Sequence, residues 1–213
     1  MMAVYDLEEQ EQIDELKAWW KTWGNTVLLV VIVISLTASG VVGWRAWGDR
    51  QSLEAGELYV QVLGAVGSGE PKKVQDIAAA MADKYPRAGY SHFAALAAAK
   101  AAFDTGNLAE ARARLQWVIE RARDDGTRDL ARYRLGIVLL DEKKPDEAIA
   151  ALQAPPVEAL TALFSDLRGD VLAAQGKAAE ARGAYQAALD KTEAKSSYRG
   201  VIQGKLDALG EAR

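Results

Sequence analysis

The pattern of hydrophobic and charged positions sets off one apolar run near the amino terminus. No charged residue occurs between Lys21 and Arg45, a run of 23 residues, and eleven Val, Leu or Ile residues fall within 27–42. At about 1.5 Å per residue, a helix of that length slightly exceeds the roughly 30 Å hydrocarbon core of a bilayer. These residues favour insertion by about 3 to 6 kcal/mol on the translocon scale. The pattern predicts a transmembrane helix over residues 25–47, in preference to a buried helix of a soluble protein.

The tryptophans support this interpretation. Five of the six lie at the two ends of the apolar run, where the water–lipid interfaces would be, as indole rings prefer. They are Trp19, Trp20, Trp23, Trp44 and Trp47. The segment before the run is acidic, which is not typical of a cleaved signal peptide and indicates an uncleaved anchor. Two basic residues lie near each end of the run, so charge alone leaves the orientation open.

Two features near the anchor have two interpretations each. Residues 1–24 form an acidic tail that is either a short amphipathic helix leading into the membrane or a frayed terminus. Small residues recur every four positions in the second half of the anchor, at Ser35, Ser39 and Gly43. This stripe is either a candidate face for packing against another membrane helix or a set of small residues that the bilayer simply tolerates.

Residues 48–213 show helical periodicity and no alternating strand pattern, which predicts an all-α domain. Three segments align with one another, 104–111, 142–148 and 175–181, and their equivalent alanines, Ala111, Ala148 and Ala181, are 37 and 33 residues apart. A helical hairpin of the tetratricopeptide type occupies about 34 residues. The spacing therefore predicts a stack of tetratricopeptide-like hairpins, a helical-hairpin solenoid.

Small and large residues keep the same register. Small residues precede each turn by seven positions, and large residues follow each alanine by four, as close antiparallel packing requires. The small set is Ala99, Gly136 and Gly169, and the large set is Leu115, Leu152 and Tyr185. We predict hairpins at 52–85, 88–123, 127–153 and 157–192, and a capping helix at 197–209. Pro155 and Pro156 should shorten the second helix of the third hairpin and cause a local irregularity.

Composition limits the possible functions. The formal charge of −4 comes entirely from the tail, because residues 45–213 hold 24 acidic and 24 basic side chains. A balanced surface argues against nucleic acid as a partner. The absence of cysteine excludes disulfides and thiolate chemistry but does not identify a compartment.

No pattern indicates catalysis. His92 is the only histidine and has no motif around it, so we interpret it as an ordinary side chain of a repeat helix. The acid pairs at 124–125 and 141–142 fall at predicted turns, where they are expected to be solvated helix ends. The chain has no Gly-rich phosphate loop and no nucleophile elbow. We expect no catalytic, metal-binding or cofactor-binding residue, and no enzyme activity.

Binding is the better prospect. The first helices of successive hairpins line a concave surface, much of it apolar or aromatic here, which could take a helix or an extended segment of a chaperone or an unfolded client. The alternative for any one of these residues is packing inside a hairpin. The candidate groove residues are Tyr59, Leu63, Phe93, Leu96, Lys100, Phe103, Tyr133, Ile137, Leu140, Asp166 and Asp170.

Two stretches resemble one known family. The segment 14–21 (DELKAWWK), followed at once by the anchor, resembles the amino terminus of the YfgM-like family, ancillary subunits of the bacterial SecYEG translocon. The segment 167–176 (LRGDVLAAQG), with its continuation to Leu189, is similar to the most recognisable part of that family. The middle, 86–165, contributes only general repeat features.

The resemblance implies a single-pass protein of a bacterial inner membrane. Its tail, 1–24, would be cytoplasmic, its anchor would be 25–47, and its repeat domain, 48–213, would be periplasmic. The implied partners are the SecYEG translocon, a membrane-anchored periplasmic chaperone of the peptidyl-prolyl isomerase type, newly exported unfolded clients and the lipid bilayer. The alternative is a repeat scaffold for another envelope process, such as cell division or respiratory-complex assembly.

Overall fold

The computed structural model describes residues 3–154 and 156–210. The side chains of residues 3–10 and of Arg45 lie outside this description, and they include three acidic residues of the tail, Asp6, Glu8 and Glu9. The described residues contain helices and no strand, which confirms the predicted all-α class. The helices are α1 (Ala3–Gly67), α2 (Pro71–Lys84), α3 (Gly89–Asp104), α4 (Leu108–Arg121), α5 (Asp125–Asp141), α6 (Pro145–Ala151), a 3₁₀ turn (Glu158–Leu160), α7 (Thr161–Ala174), α8 (Ala178–Lys191) and α9 (Tyr198–Ala208).

The chain divides into two compact units, residues 1–50 and 51–213. In the first, the described part of the tail is helical from Ala3 onward, and its amphipathic character stays a prediction. The helix is long and apolar enough to cross a membrane, and none of its most apolar 18-residue window is buried. Ring centroids lie 6.4 Å apart in the pair Trp19 and Trp20, and 5.8 Å apart in the pair Trp44 and Trp47. Within this unit the apolar side chains therefore face outward, as a lipid-exposed helix requires.

The second unit is a stack of antiparallel helical hairpins, as the repeat spacing predicts. Its core runs through the stack in three clusters of buried side chains. One joins the end of α1 to α2 and α3, the next joins α3 through α7, and the last joins α7, α8 and α9. Consecutive helices share each cluster, so each hairpin is stabilised by burial against its neighbours.

The turns inside the hairpins share one backbone geometry. The second residue after each first helix has a positive φ: 66° at Gly69, 77° at Gly106, 63° at Lys143 and 76° at Gly176. Each donates its N–H three residues back, and the next residue donates five back, as with Lys144 N to Leu139 O at 2.9 Å. This pattern closes a helix by a left-handed residue. The three turn positions aligned from sequence are confirmed, and Gly69 adds a fourth.

The small residues stand where the helices cross most closely. A Cβ built on Gly136 would lie 3.0 Å from Cδ2 of Leu167 and 3.4 Å from Cδ2 of Leu152. A Cβ on Gly169 would overlap the ring of Tyr185. Ala99 is buried at the equivalent position of α3. The predicted exchange of small and large side chains is thus confirmed in the third and fourth hairpins.

The third hairpin is irregular, as predicted. Helix α6 has seven residues, and a 3₁₀ turn replaces its continuation. Pro155 itself lies outside the described residues. A buried carboxylate organises the connection: Asp129 accepts hydrogen bonds from Arg132 Nη1 at 2.7 Å and from the backbone N–H of Val157 at 2.8 Å. Arg132 also donates to the carbonyl oxygen of Ala154. The long-range bond to Val157 was not predicted from sequence.

Helix α9 covers the end of the stack. Ile202 is fully buried, and Tyr198, Leu206 and Leu209 pack against the cluster that α7 and α8 form. These are the residues predicted for the cap. Its outer positions Gln203 and Asp207 are exposed, which gives the terminal helix a polar surface.

Candidate binding groove

Three adjoining cavities lie along the first helices of the hairpins, and we call them together the groove. The first has a volume of about 510 Å³, the second about 200 Å³ and the third about 470 Å³. Lys100 and Arg134 line both the first and the second cavity, and Phe103 and Ile137 line both the second and the third. The groove is therefore continuous along α3 and α5.

Seven of the predicted groove residues line these cavities: Tyr59, Phe93, Leu96, Lys100, Phe103, Ile137 and Leu140. Leu96 presents little surface to the groove, because only 4% of the residue is exposed. Leu63 is half exposed on α1. Which of these residues contact a partner stays a prediction.

Aromatic rings cluster at the α1 end of the groove. The centroid of Tyr59 lies 5.6 Å from that of Tyr90 and 6.1 Å from that of Phe93. Tyr90 and Phe93 are each 43% exposed. An exposed aromatic group of this kind offers a large apolar contact area at low entropic cost. Sequence reasoning missed Tyr90, whose position three residues before Phe93 on one helix face could have identified it.

Sequence reasoning also missed Arg134, which lies in the middle of the groove. It donates from Nη1 to the carbonyl oxygen of Leu96 at 3.3 Å, and burial lowers the pKa of its guanidinium. The signal was available, because Arg134 follows Lys100 by 34 residues, as Ile137 follows Phe103. One repeat length thus connects two pairs of groove residues.

The remaining three predicted groove residues lie toward the C-terminal end of the stack. Tyr133 packs with its ring centroid 6.2 Å from that of Phe164. Asp166 is buried, with 3% of its surface exposed, and Asp170 is partly buried. Helix α9 covers this carboxylate pair, so the side chain of Asp166 serves the cap in this structure and is not presented to a ligand.

One lysine holds the carboxylate pair. Lys205 Nζ lies 2.7 Å from Asp166 Oδ2 and 2.7 Å from Asp170 Oδ2. The hydroxyl of Tyr198 donates to Asp166 at 2.6 Å, and that of Tyr185 donates to Asp170 at 2.8 Å. Burial and these carboxylates raise the pKa of both tyrosines. Burial opposes the charge of Lys205, but its two hydrogen bonds outweigh burial and raise its pKa. The cluster fixes α9 to α7 and α8.

His92 and Asp124, the titratable residues considered as possible catalytic groups, both make structural contacts. His92 is buried, its Nε2 lies 3.3 Å from the carbonyl oxygen of Pro86, and its ring centroid lies 5.5 Å from that of Trp117. Asp124 caps α5 by accepting from the N–H of Thr127 at 2.7 Å. Hydrogen bonds from the side chain and then the backbone of Thr127 lower the pKa of the Asp124 carboxyl group. Among the side chains that the structure describes, no group of His, Asp and Glu is arranged to hold a metal ion.

The candidate packing face of the anchor is exposed along its length. Ser35, Ser39 and Gly43 are all on the surface, and a Cβ built on Gly43 would meet no atom within 4 Å. Its use by another helix stays a prediction.

Comparison with known proteins identifies the family. The model of the tetratricopeptide repeat-like domain matches residues 17–211. A protein of Neisseria gonorrhoeae named ancillary SecYEG translocon subunit is 34% identical over 207 residues, covering 95% of this chain and 98% of the relative. Proteins of the same name from Haemophilus influenzae and Escherichia coli are 27% and 26% identical, over 86% and 98% of this chain and 90% and 99% of their own lengths. The chain thus belongs to the family of ancillary SecYEG translocon subunits, which confirms the resemblance found in its sequence.

Proposed function

We propose that the protein is a non-catalytic scaffold of a bacterial inner membrane that associates with the Sec translocon and a membrane-anchored periplasmic chaperone of the peptidyl-prolyl isomerase type. In this role it assists newly exported, unfolded proteins. The observation that carries the proposal is the near full-length similarity to relatives named ancillary SecYEG translocon subunit. The apolar helix and the groove supply the two parts that such a scaffold needs.

The proposed arrangement places residues 1–24 in the cytoplasm, residues 25–47 in the membrane and residues 48–213 in the periplasm. The apolar, exposed window of α1 supports the anchor. The orientation follows from the proposed work on exported proteins, because the groove must lie where they emerge. Protease added to spheroplasts should digest the repeat domain and leave an epitope at the amino terminus intact, whereas the reverse result would contradict this orientation.

The groove is the proposed contact surface. Its aromatic and aliphatic lining residues, among them Tyr59, Phe93 and Ile137, offer an apolar surface that an amphipathic helix or an extended segment can bury. Tetratricopeptide-like folding alone indicates only a scaffold, so the identity of the partners rests on the family.

Site-specific photocrosslinking in native membranes tests the proposal. A photoreactive amino acid at Phe93 or Ile137 samples the groove, and one at Gln116, exposed on α4, is the matched control. We expect the groove positions to capture a translocon subunit or the chaperone and the control position to capture neither. Failure of both groove positions, together with co-purification of division or respiratory proteins in mild detergent, would overturn the proposal and favour another envelope scaffold.

A further inference from the structure

Arg134 is the arginine that lines the groove, and it differs from the other partly buried arginines of α4 and α5 in its electrostatic surroundings. Arg112, Arg114, Arg128 and Arg132 each form an ion pair with a carboxylate. Arg134 donates instead to a backbone carbonyl oxygen, that of Leu96 at 3.3 Å, and no carboxylate of the described residues pairs with it. Arg182 and Arg199, which do not line the groove, also donate to backbone carbonyl oxygens. The guanidinium of Arg134 is thus a partly buried charge without an opposite charge in the described parts of the chain.

Each of the other charged residues of the first cavity has an ion-pair partner. Lys100 Nζ lies 2.7 Å from Asp104 Oδ2, and Lys73 Nζ lies 3.6 Å from Glu70 Oε1. Four charged side chains line this cavity, Glu70, Lys100, Asp104 and Arg134. Arg134 is the one whose charge the described residues leave unbalanced.

This arrangement costs free energy in the unbound protein. Burial disfavours the charged form of Arg134, and only the neighbouring Tyr133 opposes this effect on its pKa. Arginine stays protonated in proteins, so the cost cannot be relieved by losing the proton. A carboxylate that enters the cavity would relieve it through charge-assisted hydrogen bonds, which are stronger in a partly desolvated site.

The position of Arg134 indicates which carboxylate fits. It lines both the first and the second cavity, so the groove extends away from it in two directions. A chain terminus would leave one of these directions empty, whereas a side-chain carboxylate within a continuous segment would use both. The lining on either side is largely apolar, with Phe93, Leu96 and Leu130 in the first cavity and Leu115 and Ile137 in the second.

We propose that the groove binds a partner segment in which an Asp or Glu side chain lies between apolar side chains, with Arg134 binding the carboxylate. This inference rests on the proposed function, since it takes the groove as the contact surface, and it adds the chemistry of the partner. The apolar side chains supply contact area, and Arg134 fixes the register of the segment.

Short synthetic peptides of one apolar background, with Glu, Gln or Lys at the central position, test the inference against the full chain in detergent micelles. By fluorescence anisotropy we expect the Glu peptides to bind about tenfold or more tightly than the Gln peptides, as hydrogen bonds to charged groups allow. In Arg134→Gln this preference should fall to below about twofold, by loss of the same bonds. Arg121→Gln, an exposed arginine of α4, is the matched control and should keep the preference.

Equal binding of Glu and Gln peptides by the unaltered protein would overturn the inference, as would a Glu preference that survives Arg134→Gln. Either result is compatible with capture of a translocon subunit from Phe93 or Ile137, so the proposed function would then stand. Failure of every peptide to bind would also overturn the inference. The proposed function is overturned by a separate result, the failure of the groove positions to crosslink to a translocon subunit or the chaperone.

A folding measurement distinguishes a binding role from a structural one. Arg134→Met keeps an unbranched apolar stem and removes the unpaired charge. We expect its urea midpoint to equal or exceed that of the unaltered chain, while its affinity for the Glu peptides falls. A lowered midpoint would show that Arg134 serves the fold, and would overturn the inference.

Discussion

The ring of Tyr185 on α8 occupies the space beside Gly169 on α7 that any larger side chain would need. A Cβ on Gly169 would overlap Cε1 and Cδ1 of this ring and would lie 3.0 Å from its Cγ. The ring cannot simply turn away, because its hydroxyl donates to Asp170 and its body is buried. The close approach of α7 and α8 thus depends on the absence of a side chain at Gly169 and on the fixed position of the Tyr185 ring.

Gly169→Ala should therefore destabilise the protein although alanine favours helices. We expect a loss of about 1 to 3 kcal/mol in the free energy of unfolding, the usual cost of overpacking a core. Urea unfolding of the full chain in detergent micelles, followed by circular dichroism, measures it. Gly183→Ala on α8 is the matched control, because a Cβ there meets no atom within 4 Å. It should stabilise by up to about 1 kcal/mol, and equal effects of the two changes would contradict this account.

The turn at Lys143 offers the opposite test. Its φ of 63° lies in the left-handed region, where the equivalent turns have Gly69, Gly106 and Gly176. A residue with a side chain loses about 1 to 2 kcal/mol of stability in this conformation. Glycine avoids this cost, but its unfolded state is more flexible, which offsets part of the gain. Lys143→Gly should therefore raise the free energy of unfolding by about 1 kcal/mol, measured by urea midpoint. Lys177→Gly, at φ −86°, is the control and should bring no gain.

These two positions show why the hairpins could be predicted from sequence. Turn residues, small crossing residues and large filling residues recur at fixed offsets, and each offset follows from how two helices meet. The anchor was predictable for a similar reason, since Lys21 and Arg45 are separated by the length of a bilayer core. Such patterns are local or periodic, so a single chain displays them.

The unpredicted features depend on contacts between distant residues. The bond from Val157 to Asp129 joins residues 28 apart, and the cluster on Lys205 joins residues 35 and 39 apart. Repeat register placed Asp166 on the groove, but it could not show that α9 would cover it. Nor does the sequence show whether an arginine finds a carboxylate, so the lack of an ion pair at Arg134 emerges only from the structure.

The cluster beneath α9 should be sensitive to loss of its cation. Lys205→Met leaves the buried Asp166 without an opposite charge and Asp170 with one fewer donor. We expect a loss of about 2 to 3 kcal/mol, below the range for a fully buried pair because the Lys205 side chain is 30% exposed. Urea unfolding measures it, with the exposed Lys195→Met as the control. A loss no larger than that of the control would show that the cluster does not hold α9.

His92 should make stability depend on pH. Burial lowers its pKa, with the nearby charge of Arg123 as a smaller cause, so the unfolded chain binds a proton more readily than the folded one. Stability contributed by the neutral ring is therefore present above the ordinary pKa of about 6.5 and is lost as the pH falls below it. Thermal melts should show a lower midpoint on the acidic side of that value. His92→Phe, which keeps an aromatic ring beside Trp117, should reduce this fall of the midpoint at acidic pH. If the fall is unchanged, protonation of the carboxylates causes it.

A charge in the middle of the apolar run should weaken membrane insertion. Val33 is half exposed within an apolar window in which no residue is buried, so no contact of the described chain would neutralise an arginine there. Val33→Arg costs about 2.5 to 3.5 kcal/mol at the centre of a membrane helix, against a total of about 3 to 6 kcal/mol favouring insertion. A substantial fraction of the variant should thus be released from membranes by alkaline carbonate, whereas Val33→Leu should stay bound. Equal retention of the two variants would contradict the assignment of this segment as the anchor.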